Sequence, residues 1–248
     1  MIDLSIIIAC YLDAPHVYEN SMRLARYFAA TKLTVEFIFV EDCSPDETRV
    51  EIERVAAALK EKNFLVKVLI HPVNTGRGGA VMDGILLASG KVVGFIDIDL
   101  EHLHDAILPM YLEMMEQNFD VVIGKRLMLY PGLYLSRSIT SYVYRFLLRL
   151  FIKMPVTDSE TGLKLFRREK ILPVIASCQD KHWFWDTEVL HRAYLSGLII
   201  HEHTIVFCKD LQKQSTVKLF SDSLAHFVAM IKHARTVKYE TRKRQQLH

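Results

Sequence analysis

Five short apolar runs, separated by segments of helix length, restrict the fold of this chain more than any other feature. They are Leu4–Ala9, Val35–Val40, Leu65–Ile70, Val92–Ile96 and Val121–Ile123. Most are rich in Val, Ile or Phe. Near-continuous apolar runs suit strands buried on both faces of a parallel sheet, whereas a one-sided sheet alternates apolar and polar residues. The intervening segments suit crossover helices. The order therefore predicts an α/β architecture, a doubly wound and mostly parallel sheet with flanking helices and right-handed crossovers. The 248 residues, half of them hydrophobic, suffice for one such domain with its own core. We expect that domain over residues 1–215, with an amphipathic helix and basic tail over 216–248.

Composition removes several alternatives. The formal net charge is +2, so the chain as a whole is no polyanion binder and no nucleic-acid partner is expected. The four cysteines, Cys10, Cys43, Cys178 and Cys208, form no CxxC pair and read as free thiols of a reducing compartment. The start, Met1-Ile2-Asp3-Leu4-Ser5, lacks the basic region and small-residue cleavage site of a signal peptide. No window holds about 18 uninterrupted apolar residues, the length of a membrane-spanning helix. A cytoplasmic location is expected.

Helix signals punctuate the runs. Ser44-Pro45-Asp46-Glu47 reads as a capping box, with Ser44 as N-cap and Pro at the first helical position. A second helix is expected from about Gly78 to Ser89, stopped by Gly90. After Gly124 the rhythm changes, and residues 125–160 show no clear strand. Short strands follow at Leu163–Phe166 and Ile199–Phe207.

Ligands of such sheets bind beyond the carboxyl ends of the strands. Four stretches fall there: Cys10–Pro15, Glu41–Asp46, His71–Gly79 and Asp97–His104. In Asp97-Ile98-Asp99 two carboxylates, two residues apart on an extended chain, share one face. Their repulsion is relieved by a hard divalent cation, whose open positions accept a diphosphate. A strand end followed by a helix cap is the plainer reading; the place after the fourth strand favours the metal. Asp42, with Glu41 before it, could accept from a base N–H or simply close a polar turn. Asn74-Thr75-Gly76-Arg77-Gly78-Gly79 opens a helix, where glycines and exposed N–H groups favour an anion. A tight turn explains it equally well. Arg126 follows a strand and a glycine, and either pairs with phosphate or stays solvated. His182–Glu188 holds the only two tryptophans beside Asp186 and Glu188, which suits a cleft wall or an aromatic core.

Two segments are basic and amphipathic. Ser138–Met154 places Val143, Phe146, Leu147, Leu150 and Met154 on one face and Arg145, Arg149 and Lys153 on another. The C-terminal stretch carries Phe220, Leu224, Phe227, Val228 and Ile231, then Lys232, Arg235, Lys238, Arg242, Lys243 and Arg244. A core-facing helix with a solvated basic face has this pattern. Two such segments together point to a membrane surface with anionic lipids.

Taken in order, these motifs resemble family 2 glycosyltransferases of the GT-A fold, and most of all the dolichol-phosphate mannose synthases and other polyprenyl-phosphate glycosyltransferases. The matching stretches are Val40–Asp46, Asn74–Val81, Asp97–His102, Gly124-Lys125-Arg126, Asp158–Phe166, Trp185–Glu188 and Ser215–Lys218. The resemblance implies a nucleotide-sugar donor, a GDP- or UDP-sugar, bound by Tyr11, Glu41, Asp42, Arg77, Gly78, Asp97 and Lys218. It implies Mg²⁺ or Mn²⁺ on Asp97 and Asp99, helped by Glu101. Asp158 and Glu188 would face the acceptor or the sugar, and Arg126 would bind phosphate. The acceptor implied is a polyprenyl or dolichyl phosphate at the cytoplasmic face of a membrane. Many relatives carry C-terminal transmembrane helices. Here a basic tail stands in their place, so lipid contact or a separate membrane-embedded subunit would replace them. A soluble or protein acceptor, or a non-catalytic regulator that binds nucleotide-sugar, are the alternatives.

Overall fold

The computed structural model describes residues 1–98, 104–128, 148, 151–207 and 219–246. Among them seven strands form one sheet in the order β3-β2-β1-β4-β6-β5-β7. The strands are β1 (Leu4–Cys10), β2 (Val35–Glu41), β3 (Leu65–Ile70), β4 (Val92–Ile96), β5 (Val121–Met128), β6 (Leu163–Arg167) and β7 (Ile200–Phe207). The helices are α1 (Ala14–Ala29), α2 (Thr48–Glu61), α3 (Arg77–Leu87), α4 (His104–Glu116), α5 (Arg168–Ile175), α6 (Trp185–Leu195) and α7 (Leu219–Gln246).

Alternate side chains of each central strand enter two separate cores. Leu4, Ile6 and Ile8 of β1 join Phe37 and Phe39 of β2 against α1, α2 and α4. Ile7 joins Ile38 and Val40 on the opposite face, against α3, α5 and α6. This two-sided burial is why the runs of β1, β2 and β4 are continuously apolar. The run Leu65–Ile70 departs from that expectation: β3 lies at the edge of the sheet and none of its residues is buried. The helices supply matching stripes, such as Ile52, Val55, Ala56 and Leu59 of α2, all buried.

β6 alone runs against its neighbours, antiparallel to both β4 and β5. Leu163 pairs with Ile96, so β6 begins at the carboxyl end of β4. The segment 157–162 is thereby delivered to the ligand edge of the sheet.

Local readings change in several places. α2 starts at Thr48 and not at Ser44. Ser44 Oγ accepts the N–H of Leu12, and Asp46 Oδ1 accepts the N–H of Thr48 instead. Gly90 does not stop α3, which ends at Leu87. Its N–H donates to Ser5 Oγ at 2.8 Å, and a Cβ there would press on the Ser5 backbone. β5 continues through Gly124-Lys125-Arg126 to Met128, because parallel β7 pairs along all of it. Of Ser138–Met154 only residues 148 and 151–154 are described, and Arg145 and Arg149 lie outside. The expected boundary at 215/216 falls within 208–218, also outside the described residues.

The buried face of α7 differs from the apolar stripe read in the sequence. Met230 and His233 are buried, whereas Val228 is 58 % exposed. Phe227 of that stripe still packs against the core. α6 explains the buried His233, since its His191 and Glu188 give it polar surroundings.

Candidate active site

A cleft of about 710 Å³ opens beyond the carboxyl ends of β1, β2 and β4. Its walls come from Ala9–Asp13, from Asp42, from the 74–80 turn into α3, from Asp97 and Ile98, and from His182 and Trp183. All four stretches singled out in the sequence reach it.

The first wall is the loop after β1. Tyr11 is 46 % exposed there. Leu12 has φ +60°, and the loop's N–H groups are held by Ser44, Asp46 and Thr48 side chains. The residues that resembled a capping box thus brace the loop that carries Tyr11.

Asp42 closes β2 and is buried. Its Oδ1 accepts the N–H and hydroxyl of Thr75 at 2.8 and 2.9 Å and an N–H of His71 at 2.8 Å. Its Oδ2 accepts the N–H of Gly76 at 2.9 Å. Gly76, with φ +87°, is the N-cap of α3. The anion favoured at that helix terminus is therefore the chain's own Asp42. His71 reaches on to Asp83, at 3.3 Å from Nε2.

Asp97 leaves the end of β4 with its N–H on the Gly162 carbonyl at 3.0 Å. Arg77 donates to its Oδ1 from Nη2 at 2.7 Å and from Nε at 3.2 Å. The Nη1 of Arg77 donates to Asp186 Oδ2. Asp186 Oδ1 in turn accepts the buried ammonium of Lys164 at 2.6 Å. Burial works against the Arg77 cation, but Asp186 and Asp97 outweigh it and raise its pKa. At Lys164 burial prevails and lowers the pKa.

Outside the cleft lining, Arg126 makes a two-pronged contact with Asp158, Nε to Oδ2 at 2.8 Å and Nη2 to Oδ1 at 2.7 Å. The backbone N–H of Arg126 adds a third bond at 3.1 Å. Burial alone would raise the Asp158 carboxyl; the Arg126 contacts outweigh it and hold the pKa below the usual range.

Residues 5–172 match the model of glycosyl transferase family 2. The chain belongs to this family. It is 28 % identical over 215 residues to "Glycosyltransferase AglD" of Haloferax volcanii, across 82 % of this chain and 33 % of that protein. It is 28 % identical over 210 residues to a dolichyl-phosphate beta-glucosyltransferase of Drosophila melanogaster, across 77 % of this chain and 63 % of that one. The chain thus spans from a third to under two thirds of these relatives' length. Glucosyl-3-phosphoglycerate synthase of Mycobacterium tuberculosis, crystallised with Mn²⁺, UDP and glucosyl-3-phosphoglycerate, matches with a TM-score of 0.70. That match covers 94 % of this chain and 80 % of the other at 16 % identity, and establishes the GT-A fold.

Within this family 2 fold, Tyr11, Asp42, Arg77 and Asp97 line the cleft. Asp99, Glu101 and Lys218 lie outside the described residues. Four expectations are corrected. Glu41 is buried and binds the N–H groups of Cys43 and Ser44, so it shapes the turn and does not line the cleft. Gly78 is buried against α6, where a Cβ would collide with Trp185; close packing, not a phosphate, requires the glycine. Asp158 is occupied by Arg126, which makes it a poor proton acceptor. Glu188 faces away from the cleft. Its Oε2 binds the N–H groups of Gln179 and Asp180, and its Oε1 binds Arg192. Burial would raise this carboxyl, but His233, the two loop N–H groups and Arg192 bring it to about 2.

Lys164 carries a part of the site that the sequence reading passed over, and Gly162, noted there only within the Asp158–Phe166 stretch, carries another. Lys164 sat unremarked inside an apolar strand, and a lone cation in such a run was the available signal. Gly162 lies so close to Asp97 Oδ2 that any Cβ would collide with it.

Proposed function

We propose that this chain transfers a sugar, with inversion, from a nucleotide-sugar to a polyprenyl phosphate. One observation carries the reading: an aromatic pair, a buried carboxylate, an arginine and an acidic strand end converge on one cleft of nucleotide size. In this reading Tyr11, Trp183 and Asp42 hold the base, and Arg77 and Lys218 contact phosphates. Asp97 holds Mg²⁺ or Mn²⁺ together with Asp99 and Glu101. The described part fits such an ion, because the Asp97 side chain is 42 % exposed to the cleft and only glycine at 162 leaves room for it. No trio of metal-ligating side chains occurs among the described residues, and two of the three proposed ligands lie outside them. The ion would supply charge stabilisation for the departing diphosphate.

Proton accounting at Asp158 and Glu188 supports that acceptor. A hydroxyl acceptor needs a general base within reach. Asp158 and Glu188 are both committed to arginines and held in their charged forms. A phosphate monoester, with a second pKa of about 6, is already an anionic nucleophile at neutral pH. Its oxygen bonds to the anomeric carbon as the bond to the diphosphate breaks, and no protein group need take a proton. The similarity to a dolichyl-phosphate beta-glucosyltransferase supports the same acceptor, and the UDP and Mn²⁺ bound by the structural neighbour support the donor and metal class.

The test is a turnover assay with GDP- and UDP-sugars, Mn²⁺ or Mg²⁺, and a short polyprenyl phosphate added or withheld. Lipid- and metal-dependent product that is lost in Asp97→Asn is expected. Donor turnover indifferent to the lipid would replace the lipid acceptor with a soluble one. Tight donor binding without turnover would favour a regulator.

A further inference from the structure

Four charged side chains form an alternating row from the cleft into the interior. Their exposures are 42 % for Asp97, 14 % for Arg77, 5 % for Asp186 and 0 % for Lys164. Lys164 is fixed by the Thr161 carbonyl and Asp186 Oδ1, both at 2.6 Å. Asp186 Oδ2 holds one end of the Arg77 guanidinium, and Asp97 Oδ1 holds the other. Phe95 and Trp183 lie 5.1 and 5.6 Å from that guanidinium. The two anchors of Arg77 differ in kind. The Asp186 contact is dry and backed by a second cation, whereas the Asp97 contact opens to water and is screened.

We propose that Arg77 is a displaceable internal cation: it occupies Asp97 while the cleft is empty and yields that carboxylate to a divalent ion when the ion arrives with a nucleoside diphosphate. The inference rests on the proposed role of Asp97 as a metal ligand. Arg77 and a divalent ion compete for the same carboxylate, and two cations side by side repel. An ion binding alone meets a carboxylate whose Oδ1 already accepts both Arg77 bonds, and drawing that oxygen to the ion leaves the guanidinium half paired. A diphosphate binding with the ion offers that guanidinium a new anion, with Asp186 retained as its pivot. Ion and nucleotide therefore bind cooperatively, each raising the other's affinity by the same factor.

The signature is a pair of effects of opposite sign. Removing Arg77 takes the competing cation from Asp97, so the ion alone binds more tightly, while the nucleotide loses a partner and binds more weakly. An arginine with a purely structural role would weaken both. One that only contacts phosphate would leave the affinity for the ion alone unchanged.

The experiment is a titration of the full chain with Mn²⁺, following the free-ion electron paramagnetic resonance signal, without nucleotide and with UDP or GDP. Wild type, Arg77→Gln, Arg77→Lys and Asp97→Asn are compared. Arg77→Gln is expected to tighten Mn²⁺ alone by about fivefold or more and to abolish most of the coupling to nucleotide. Arg77→Lys retains a cation beside Asp186 and is expected to fall between, which keeps the test available if the glutamine variant fails to fold. Unchanged or weakened Mn²⁺ binding in the folded Arg77 variants overturns the proposal. If Mn²⁺ binding is nevertheless lost in Asp97→Asn, the metal reading stands without it. If wild type retains no Mn²⁺ even with nucleotide, both fall.

Discussion

At Gly162 the absence of a side chain sets the position of a carboxylate. The Gly162 carbonyl receives the N–H of Asp97, and its Cα lies against Asp97 Oδ2. A methyl group at 162 must push that carboxylate aside, since overpacking of this kind costs about 1–3 kcal/mol and is relieved by the more mobile partner. Gly162→Ala is therefore expected to weaken nucleoside diphosphate–Mn²⁺ binding by about tenfold, the equivalent of roughly 1.4 kcal/mol. Calorimetric titration measures it, and thermal melting should show a folded protein. Undiminished affinity would mean that the observed position of Asp97 is not the one used. Residue type alone did not separate the carboxylates. Asp42, Asp97, Asp158 and Glu188 are equivalent in the sequence, and their neighbours give them different work.

At the scale of elements, α6 joins the cleft wall to α7. Its Glu188 fixes the 179–180 turn that leads to His182 and Trp183, while its Arg192 reaches Glu240 of α7 at 3.2 Å. His191 and His233 meet across the same contact at 2.8 Å. Burial, then the neighbouring His233, lowers the His191 pKa to about 4. His191 and Glu188 therefore bind fewer protons folded than unfolded. The His191 contribution is complete above its ordinary value of about 6.5 and is lost as pH falls towards 4. The Glu188 contribution is complete above about 4.5 and is lost towards 2. After allowance for solvent screening, each is worth on the order of 1–2 kcal/mol. Urea unfolding between pH 7.5 and 4.5 should show falling stability, and His191→Gln should flatten most of that slope. A wild-type stability independent of pH over this range would contradict the assignment.

For the molecule as a whole, the exposed side of α7 bears on where the enzyme works. Lys232, Arg235 and Lys238 are exposed beside Val228 and Tyr239. Among the described residues no helix is long and apolar enough to cross a membrane. A peripheral contact with anionic lipid would use this basic face, with each cation near the surface contributing about 1 kcal/mol. Co-sedimentation with phosphatidylserine vesicles is expected to fall about tenfold or more when the three basic residues are replaced by Gln, and to fall with added salt. Equal binding by the triple variant would remove α7 from the membrane contact.

The apolar runs of β1, β2 and β4 determined the parallel core of the sheet, because two-sided burial leaves a continuous hydrophobic record in a strand. Strand-end position likewise marked Asp42, Arg77 and Asp97, since ligand loops follow the carboxyl ends of β-strands. Gly124-Lys125-Arg126 was not legible as strand, because only pairing with distant β7 makes it one. The roles of Glu41, Asp158 and Glu188 were closed to sequence reasoning for a related reason. A carboxylate whose donors hold it in its charged form is a poor proton acceptor. The donors here are an adjacent turn for Glu41, Arg126 for Asp158, and Arg192 with a preceding loop for Glu188. The sequence set which residues stand at strand ends; the tertiary contacts, which bring Arg126 to Asp158 and Lys164 to Asp186, decided which of those charges are already spent on one another.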